Sequence, residues 1–360
     1  MRGGTSKGCV FLQKDLPTDR SIWDALFVAA MGGRDPKQID GMGGCVSSNN
    51  KIIVVSRSWC PGIDVEYLVG QCVVGEGRID YSANCGNMTA AVAQFAVEHG
   101  LLDNLTAPRM TVHLYNLNTD QCIDVELPIS DGHFNNTGVC RIAGIEAPAG
   151  ELRMAFLDPA GSKTGVLFPT GNRQDLFSGV TATLLDVSIP TVLVPASEVG
   201  MSGTEMPVTI NENATLLHRL ESIRADAAYT VGMASSPRLA AEQSAGAPKI
   251  GVLCPPIHYK TLNGQDVNES EIDICVRVIS MGKAHKACPL TAANAIAAAA
   301  LLPGTLVHAL CRPLRGNTVR IGHPSGVMEV TVDIHRGQVL SATTVRTART
   351  IMEGMLYLPE

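Results

Sequence analysis

Two short segments of the sequence resemble each other closely, and they constrain the fold more than any other feature. Residues 87–102 read NMTAAVAQFAVEHGLL and residues 291–304 read TAANAIAAAALLPG. In each case a cysteine stands just ahead of a Thr-Ala-Ala sequence and an apolar run at helical spacing. A helix that is apolar on nearly every side must be buried. We therefore expect two similar halves, each built around one central helix, with chance likeness in an alanine-rich chain as the alternative.

Short β-branched runs surround both segments and predict strands. They lie at residues 51–56, 65–74, 110–117 and 122–129, and within 184–200, 267–283 and 320–334. Their partial alternation favours antiparallel pairing with one buried face. The predicted fold class is α+β, with two pseudo-symmetric domains, each a curled, mostly antiparallel sheet around a central helix. We place the boundary near residue 185, giving domains 1–185 and 186–360, and the last residues can pack back on the N-terminal lobe.

Composition excludes several classes of protein. A net charge of −6 offers no basic surface for nucleic acid, and 17% charged residues do not suit a disordered chain. The 11 cysteines form no CxxC pair or metal-binding spacing, which is typical of reduced thiols in the cytoplasm. The N-terminus has no apolar signal core, and the apolar stretch at 292–302 is about half the length that a membrane span needs. We expect a soluble cytoplasmic protein that binds neither membrane nor nucleic acid.

Cys85 and Lys51 are the side chains best suited to move a proton. Cys85 lies at the start of the first predicted helix, where free N–H groups and the positive end of the helix dipole stabilise a thiolate and bind carboxylates. Lys51 opens the apolar run KIIVVS, where its charge must be solvated or paired. An amine that points into a cleft can bind a carboxylate or act as a base. The alternatives are a structural cysteine at a buried turn and a lysine at a solvent-facing strand end.

Three polar turns are candidate anion sites. MRGGTSKG at the N-terminus combines glycines, hydroxyls and cations, although it lacks the GxxxxGK[ST] pattern of a nucleotide-binding loop. Lys286 and Cys288 lie in GKAHKACPLT, just ahead of the second helix, where the helix terminus favours an anion. HPSG at residues 323–326 is a tight turn with an imidazole and a hydroxyl, and each of these segments can also be a plain turn.

Several of these strings together resemble one family. In chain order they are MRGGTSKG, IDGMGG, KIIVVS, NCGNMTAAVAQFAVEHGL, LDPAGSKTGVLFPTGN, HKACPLT, IGHPSG and RTARTIMEG. They are similar to the PrpF family, whose members include 2-methylaconitate and aconitate isomerases, methylitaconate delta-isomerases and 4-oxalomesaconate tautomerases. Any one string is a weak signal, but eight in order across nearly the whole chain are specific.

The resemblance implies a diaminopimelate epimerase-like fold and a catalytic lysine and cysteine, which match Lys51 and Cys85. Cys288 aligns with the second cysteine of true epimerases, which makes it a candidate second acid or base. Family members usually carry several strand residues ahead of MRGGTSKG, so a first strand is expected to be missing or its start assigned late. With the anion-site argument, the resemblance gives these expected substrate contacts: Thr5, Ser6, Gly86, Asn87, Met88, Lys286, His323, Pro324, Ser325 and Gly326.

The resulting hypothesis is an isomerase that moves a carbon–carbon double bond by an allylic 1,3-proton shift in a small unsaturated di- or tricarboxylate. Two groups titrating near neutrality suffice for such a shift, so no cofactor or metal is expected. One alternative is an epimerase or racemase using Cys85 and Cys288, and another is a non-catalytic polycarboxylate-binding accessory protein. The expected partners are a small anionic substrate and, as a default, a second copy of the chain.

Overall fold

The strands follow the β-branched runs of the sequence and are numbered along the chain. They are β1 Arg2–Gly3, β2 Ser6–Leu12, β3 Lys51–Arg57, β4 Val65–Val73, β5 Arg78–Asp80, β6 Arg109–Asn116, β7 Gln121–Ser130, β8 His133–Phe134, β9 Leu152–Leu157, β10 Asp175–Phe177, β11 Val180–Asp186, β12 Pro190–Pro195, β13 Lys249–Cys254, β14 Tyr259–Lys260, β15 Asp266–Val267, β16 Ile274–Ser280, β17 Lys283–Ala284, β18 Thr318–His323, β19 Gly326–His335, β20 Gln338–Arg346 and β21 Ala348–Arg349. The computed structural model describes residues 1–82 and 84–358.

The helices are α1 Trp23–Met31, α2 Gly86–Glu98, α3 Pro207–Glu212, α4 Ala214–Thr230, α5 Ala240–Gln243, α6 Leu290–Leu301 and α7 Leu306–Leu310. The two helices predicted from the duplicated segments are therefore present as α2 and α6. Helix α2 ends at Glu98, two residues before Gly100, and α6 ends at Leu301, two residues before Pro303, so these two residues mark the helix ends. Among the described residues, none of these helices has the length and apolar character needed to cross a membrane.

The chain divides into two units. Unit 1 comprises Met1–Ala155 and Val345–Glu360, and unit 2 comprises Phe156–Thr344. The boundary that we placed near residue 185 falls inside unit 2, at the end of β11. There the chain turns back at Ser188, which has a φ of +61°, and β12 pairs antiparallel with β11. The stretch around residue 185 is therefore part of a hairpin and not a linker.

Unit 1 packs its strands around α2. Strand β2 pairs parallel with β3, β3 pairs antiparallel with β4, and β4 pairs antiparallel with β5 and parallel with β6, which continues antiparallel into β7. Helix α2 lies between β5 and β6 along the chain, and residues 86–97 of it are all buried. A second apolar cluster, which includes Trp23, Phe27 and Ile52, packs α1 onto the other side of these strands.

Unit 2 repeats the same order of pairings. Strand β12 pairs parallel with β13, β13 pairs antiparallel with β16, and β16 pairs antiparallel with β17 and parallel with β18, which continues antiparallel into β19. Helix α6 lies between β17 and β18, and residues 290–300 are buried. Because strands and helix recur in one order, the resemblance of the two segments reflects a duplicated unit. The predicted α+β class with two similar halves is confirmed.

Candidate active site

The N-terminal glycine-rich segment of unit 1 forms a tight hairpin. Strands β1 and β2 pair antiparallel, and Gly4 and Thr5 make the turn between them. Gly4 has a φ of +50°, a conformation that glycine adopts without strain. A Cβ at Gly4 would lie 2.2 Å from Oδ1 of Asn87, and one at Gly3 would lie 2.5 Å from the Asn87 carbonyl oxygen. The two glycines therefore let the hairpin approach the first turn of α2.

Cys85 occupies the N-cap position of α2, beside this hairpin. Its backbone is extended, its side chain is partly exposed, and its Sγ donates a hydrogen bond to Ser6 Oγ at 3.7 Å. The Thr89 N–H donates to the Cys85 carbonyl at 3.1 Å, so the N–H groups of Gly86, Asn87 and Met88 precede the intrahelical ladder. The positive end of the helix dipole and these N–H groups are suited to bind a negative charge next to the thiol.

Lys51 is the first residue of β3 and is partly buried. Its Nζ donates to Oε1 of Gln71, the residue directly opposite on β4. The Gln71 side chain is itself fixed, since its Nε2 donates to the carbonyls of Asn50 at 3.2 Å and Cys72 at 2.9 Å. Gln71 thus presents its oxygen to the lysine amine. Sequence reasoning missed this residue because the β3–β4 register that pairs it with Lys51 is invisible in the sequence.

Lys51 and Cys85 approach the same stretch of β2. Lys51 lies opposite Gly8 in the parallel β2–β3 pair, and a Cβ at Gly8 would come within 2.2 Å of the Lys51 carbonyl oxygen. Ser6, which contacts Cys85, is two residues before Gly8 and therefore shares its face at a distance of roughly 7 Å along the strand. Lys51 and the Cys85 side chain thus border positions two residues apart on β2.

A buried hydroxyl network lies behind Cys85. Tyr67 is fully buried on β4, and its Oη lies 2.8 Å from Thr89 Oγ1 and 3.1 Å from Asn84 Nδ2. Thr89 Oγ1 in turn donates to the Cys85 carbonyl at 3.3 Å. Burial raises the pKa of the Tyr67 phenol well above its usual range, so the ring stays neutral. The network holds the backbone of the cysteine turn, and nothing in the sequence pattern identified it.

Asn87, in the first turn of α2, makes hydrogen bonds to the β1–β2 hairpin and to Arg346. Its Nδ2 donates to Thr5 Oγ1, and its Oδ1 accepts from Nε of Arg346, each at 3.1 Å. Arg346 is 4% exposed and belongs to the C-terminal segment of unit 1. The buried guanidinium therefore fixes which end of the Asn87 amide faces the hairpin. Met88 has no exposed surface, so its side chain packs in the core of unit 1 instead of facing a ligand.

The predicted contacts of unit 2 lie in the HPSG turn and in the segment ahead of α6. Ser325 Oγ donates to the Lys286 carbonyl at 2.5 Å, which ties the HPSG turn to the segment ahead of α6. His323 is 1% exposed, and its Nδ1 accepts from the Ser325 N–H at 3.2 Å. The Pro324 carbonyl accepts from Leu262 N at 2.8 Å, and Tyr259 Oη donates to the carbonyls of His323 and Gly326, so these bonds anchor the turn. Lys286 is exposed.

Cys288 occupies the place in unit 2 that Cys85 occupies in unit 1, just ahead of the central helix. It has no exposed surface, and its Sγ donates to the Pro289 carbonyl at 3.6 Å. Cys85 by contrast is partly exposed. A role for Cys288 as a second acid or base stays a prediction. Within residues 1–82 and 84–358, no group of three or more His, Cys, Asp or Glu side chains is placed to hold a metal ion.

Comparison with known proteins gives one consistent result. The family described as PrpF protein matches residues 1–359. The 2-methyl-aconitate isomerase of Shewanella oneidensis is 39% identical, with 100% of this chain and 96% of that protein covered. The 3-methylitaconate isomerase of Eubacterium barkeri is 36% identical, covering 99% of this chain and 96% of that protein. The crystal structure of a methylitaconate-delta-isomerase has a TM-score of 0.84 at 36% identity over 99% of this chain and 94% of that one.

Proposed function

The chain belongs to the PrpF protein family and is an isomerase, and on that premise we propose that Lys51 and Cys85 move the proton that it transfers. The reaction is an allylic 1,3-shift of a double bond in a small unsaturated di- or tricarboxylate, without a cofactor. The observation that carries the proposal is the placement of the Cys85 thiol at the N-terminus of α2, beside the hairpin strand whose neighbour begins with Lys51.

One of the two groups removes a proton from the carbon next to the double bond, and the other returns a proton at the far end of the three-carbon system. Both Lys51 and Cys85 are suited to general acid–base catalysis, and either one can be the base. Gln71 holds the amine and the Tyr67 network holds the cysteine turn, so neither group has to be ordered during the reaction.

Removal of the proton places negative charge on the substrate, delocalised into a carboxylate. The N–H groups of Gly86, Asn87 and Met88 at the start of α2 supply fixed donors for that charge. Thr5 and Asn87 add polar groups on the same side of the hairpin. Donors that are already in place when the charge develops cost no reorganisation, which makes this terminus the main source of stabilisation in the proposal.

The substrate class follows from the relatives. Two of them are named for 2-methylaconitate and 3-methylitaconate, which are both unsaturated polycarboxylates. We extend this class to the present chain. Lys286 and the HPSG turn are proposed as further carboxylate contacts in unit 2, and the cytoplasm as the location.

The test combines an absorbance assay with isotope exchange. The purified chain is incubated with aconitate, methylaconitate, methylitaconate and oxalomesaconate, because the absorbance of a conjugated double bond changes as it moves. In D₂O, we expect deuterium at the carbon that gains a proton. The Lys51→Met and Cys85→Ser variants should each lose roughly 10²- to 10⁴-fold in turnover, the range that a positioned acid or base contributes.

Matched controls are Lys14→Met and Cys60→Ser, which change an exposed lysine and an exposed cysteine of unit 1. Both should keep the activity of the unchanged chain, and circular dichroism should show all four variants folded. A folded Lys51→Met/Cys85→Ser double variant that still turned over substrate would disprove the assignment. Loss of activity in Cys288→Ser equal to that in Cys85→Ser, together with inversion at one carbon, would favour an epimerase instead.

A further inference from the structure

A pair of cysteines in unit 2 faces each other across two strands, remote in sequence from the proposed catalytic groups. Cys254 ends β13 and lies directly opposite Cys275 of β16 in an antiparallel pair. Residues opposite each other in such a pair have Cα atoms about 4.5–5.5 Å apart, within the roughly 4.4–6.8 Å that a disulfide spans. Both thiols are reduced in the structure, and Cys254 is 6% exposed while Cys275 has no exposed surface.

A buried guanidinium lies beside these thiols. Arg277 is 1% exposed, and its Nη1 lies 3.5 Å from Cys275 Sγ. Its Nε donates to the Glu205 carbonyl at 2.8 Å, its Nη1 also donates to the Val276 carbonyl, and its Nη2 has no hydrogen-bond partner among the described residues. A buried cation with an unused donor is costly unless a negative charge lies nearby. A thiolate at Cys275 supplies that charge.

The electrostatics of the pair favour one thiolate. The hydrogen bond from Cys254 lowers the pKa of Cys275, and Arg277 lowers it further against the opposing effect of burial. The same hydrogen bond, with burial, raises the pKa of Cys254. The other titratable groups that face the pair are Glu205 and Tyr259, and the Tyr259 ring lies under the Arg277 guanidinium at 5.0 Å. Both effects favour the proton on Cys254 and the negative charge on Cys275.

An irregular segment covers the pair. Gly203 has a φ of +90°, and a Cβ there would lie 2.3 Å from Cys254 Sγ, while the Gly203 carbonyl oxygen lies 3.6 Å from Cys275 Sγ, where it accepts a hydrogen bond as long as that thiol is protonated. The Glu205 carboxylate closes this turn by accepting from the N–H groups of Ser202 and Gly203. The cover belongs to neither a helix nor a strand, so local opening of residues 202–205 gives a small oxidant access.

From this geometry we propose that Cys254 and Cys275 are a redox-active dithiol, a modification site that a hydroperoxide converts to a reversible disulfide. The Cys275 thiolate attacks one peroxide oxygen, the O–O bond breaks, and the sulfenic acid forms at Cys275. The departing alkoxide or hydroxide takes a proton from solvent and leaves as an alcohol or water. The Cys254 sulfur then attacks the Cys275 sulfur, the S–O bond breaks, and water leaves with the Cys254 proton. The dithiol gives up two electrons and the peroxide accepts them.

The experiment uses the full chain carrying Cys85→Ser, so that the proposed catalytic thiol does not react. The folded protein is treated with a few equivalents of hydrogen peroxide, alkylated and mapped by mass spectrometry. We expect a peptide pair joined through Cys254 and Cys275 that dithiothreitol separates. Buried Cys72, whose pKa burial raises to about 11, is the internal control and should react at least about tenfold more slowly at neutral pH. The rate of crosslinking should rise with pH at a midpoint below the value of about 8.5 of an ordinary thiol.

Two variants separate the roles of the residues. In Cys254→Ser the crosslink cannot form, and we expect dimedone to trap a sulfenic acid at Cys275. Arg277→Gln should slow oxidation of Cys275 at neutral pH, while Arg277→Lys, which keeps the charge, should restore part of the rate. The proposal is overturned if the folded chain leaves Cys254 and Cys275 alkylatable while exposed Cys45 and Cys60 oxidise, or if Cys275 in folded Cys254→Ser gives no dimedone adduct.

Discussion

Gln71 determines the hydrogen-bonding environment of the proposed catalytic amine. Its oxygen faces Lys51 from the opposite strand, and its two N–H bonds to backbone carbonyls prevent the amide from turning round. A neutral acceptor orients the amine without adding a charge that would hold the proton on it. The absence of charge on the Gln71 side chain therefore helps Lys51 to give up and regain its proton.

The Gln71→Glu variant tests that role. A carboxylate opposite Lys51 stabilises the protonated amine by Coulomb attraction, so the limb of the pH–rate profile that reports Lys51 should move to higher pH. If the rising limb moves, Lys51 acts as the base, and if the falling limb moves, it acts as the acid. The measurement is turnover against pH. Gln265→Glu, the same change at an exposed position of unit 2, should leave both limbs unmoved.

At this scale the sequence indicated the proposed reacting groups but not their partners. Cys85 and Lys51 were recognisable because a cysteine ahead of a helix and a lysine ahead of an apolar strand are local patterns. Gln71, Tyr67 and Arg346 were not, because each acts through a pairing distant in sequence. Met88 was an expected contact, yet its side chain belongs to the core. Strand register and burial cannot be inferred from composition.

The β1–β2 hairpin and helix α2 work as one element. Gly4 brings the turn against Asn87, Asn87 binds Thr5, and Ser6 binds Cys85, so the hairpin sets the surroundings of the helix N-terminus. Among the described glycines, Gly132 offers a comparison, because its φ of +74° is also left-handed but a Cβ there would meet nothing within 4 Å.

Gly4→Ala should therefore damage the site while Gly132→Ala should not. Both variants place alanine in a left-handed conformation, which costs roughly 1–2 kcal/mol of stability. Only Gly4→Ala also pushes against Asn87 Oδ1, so we expect a fall of about tenfold or more in kcat/KM with the chain still folded. Steady-state kinetics and denaturant unfolding of both variants check this. Equal kcat/KM in the two variants would contradict the idea that the hairpin positions the helix terminus.

The sequence predicted the duplication for the two central helices but not for the strands that begin with Lys51 and Lys249. The two central helices followed from matching Cys and Thr-Ala-Ala patterns, and both are buried as expected. The equivalence of Lys51 and Lys249 was missed: each begins a strand, and each amine contacts the side chain across the antiparallel pair, Gln71 in one unit and Ser280 in the other. Their flanking residues differ, so only the shared order of strand pairings reveals the correspondence.

Across the whole molecule, the core depends on small aliphatic side chains, and its few buried aromatic hydroxyls are costly to ionise. Burial raises the pKa values of Tyr67 and Tyr259, and partial burial together with the hydrogen bond to Asp24 raises the pKa of Tyr81 at the edge of the core. Below about pH 10 these phenols are neutral in both the folded and the unfolded chain, so they leave stability independent of pH. Above that value only the unfolded chain ionises, and each phenol makes the free energy of unfolding fall by about 1.4 kcal/mol per pH unit.

Replacing Tyr67 with phenylalanine should therefore change both the level and the slope of the stability curve. Near pH 8, Tyr67→Phe leaves Thr89 and Asn84 without their buried partner and should lower the free energy of unfolding by about 1–3 kcal/mol. Above pH 10 the variant lacks one ionising phenol, so its stability should fall less steeply and the two curves should converge. Tyr357→Phe, at an exposed tyrosine of unit 1, should run parallel to the unchanged chain. Denaturant titrations across this pH range measure both slopes, and a constant gap between Tyr67→Phe and the unchanged chain would show that ionisation of Tyr67 does not oppose folding.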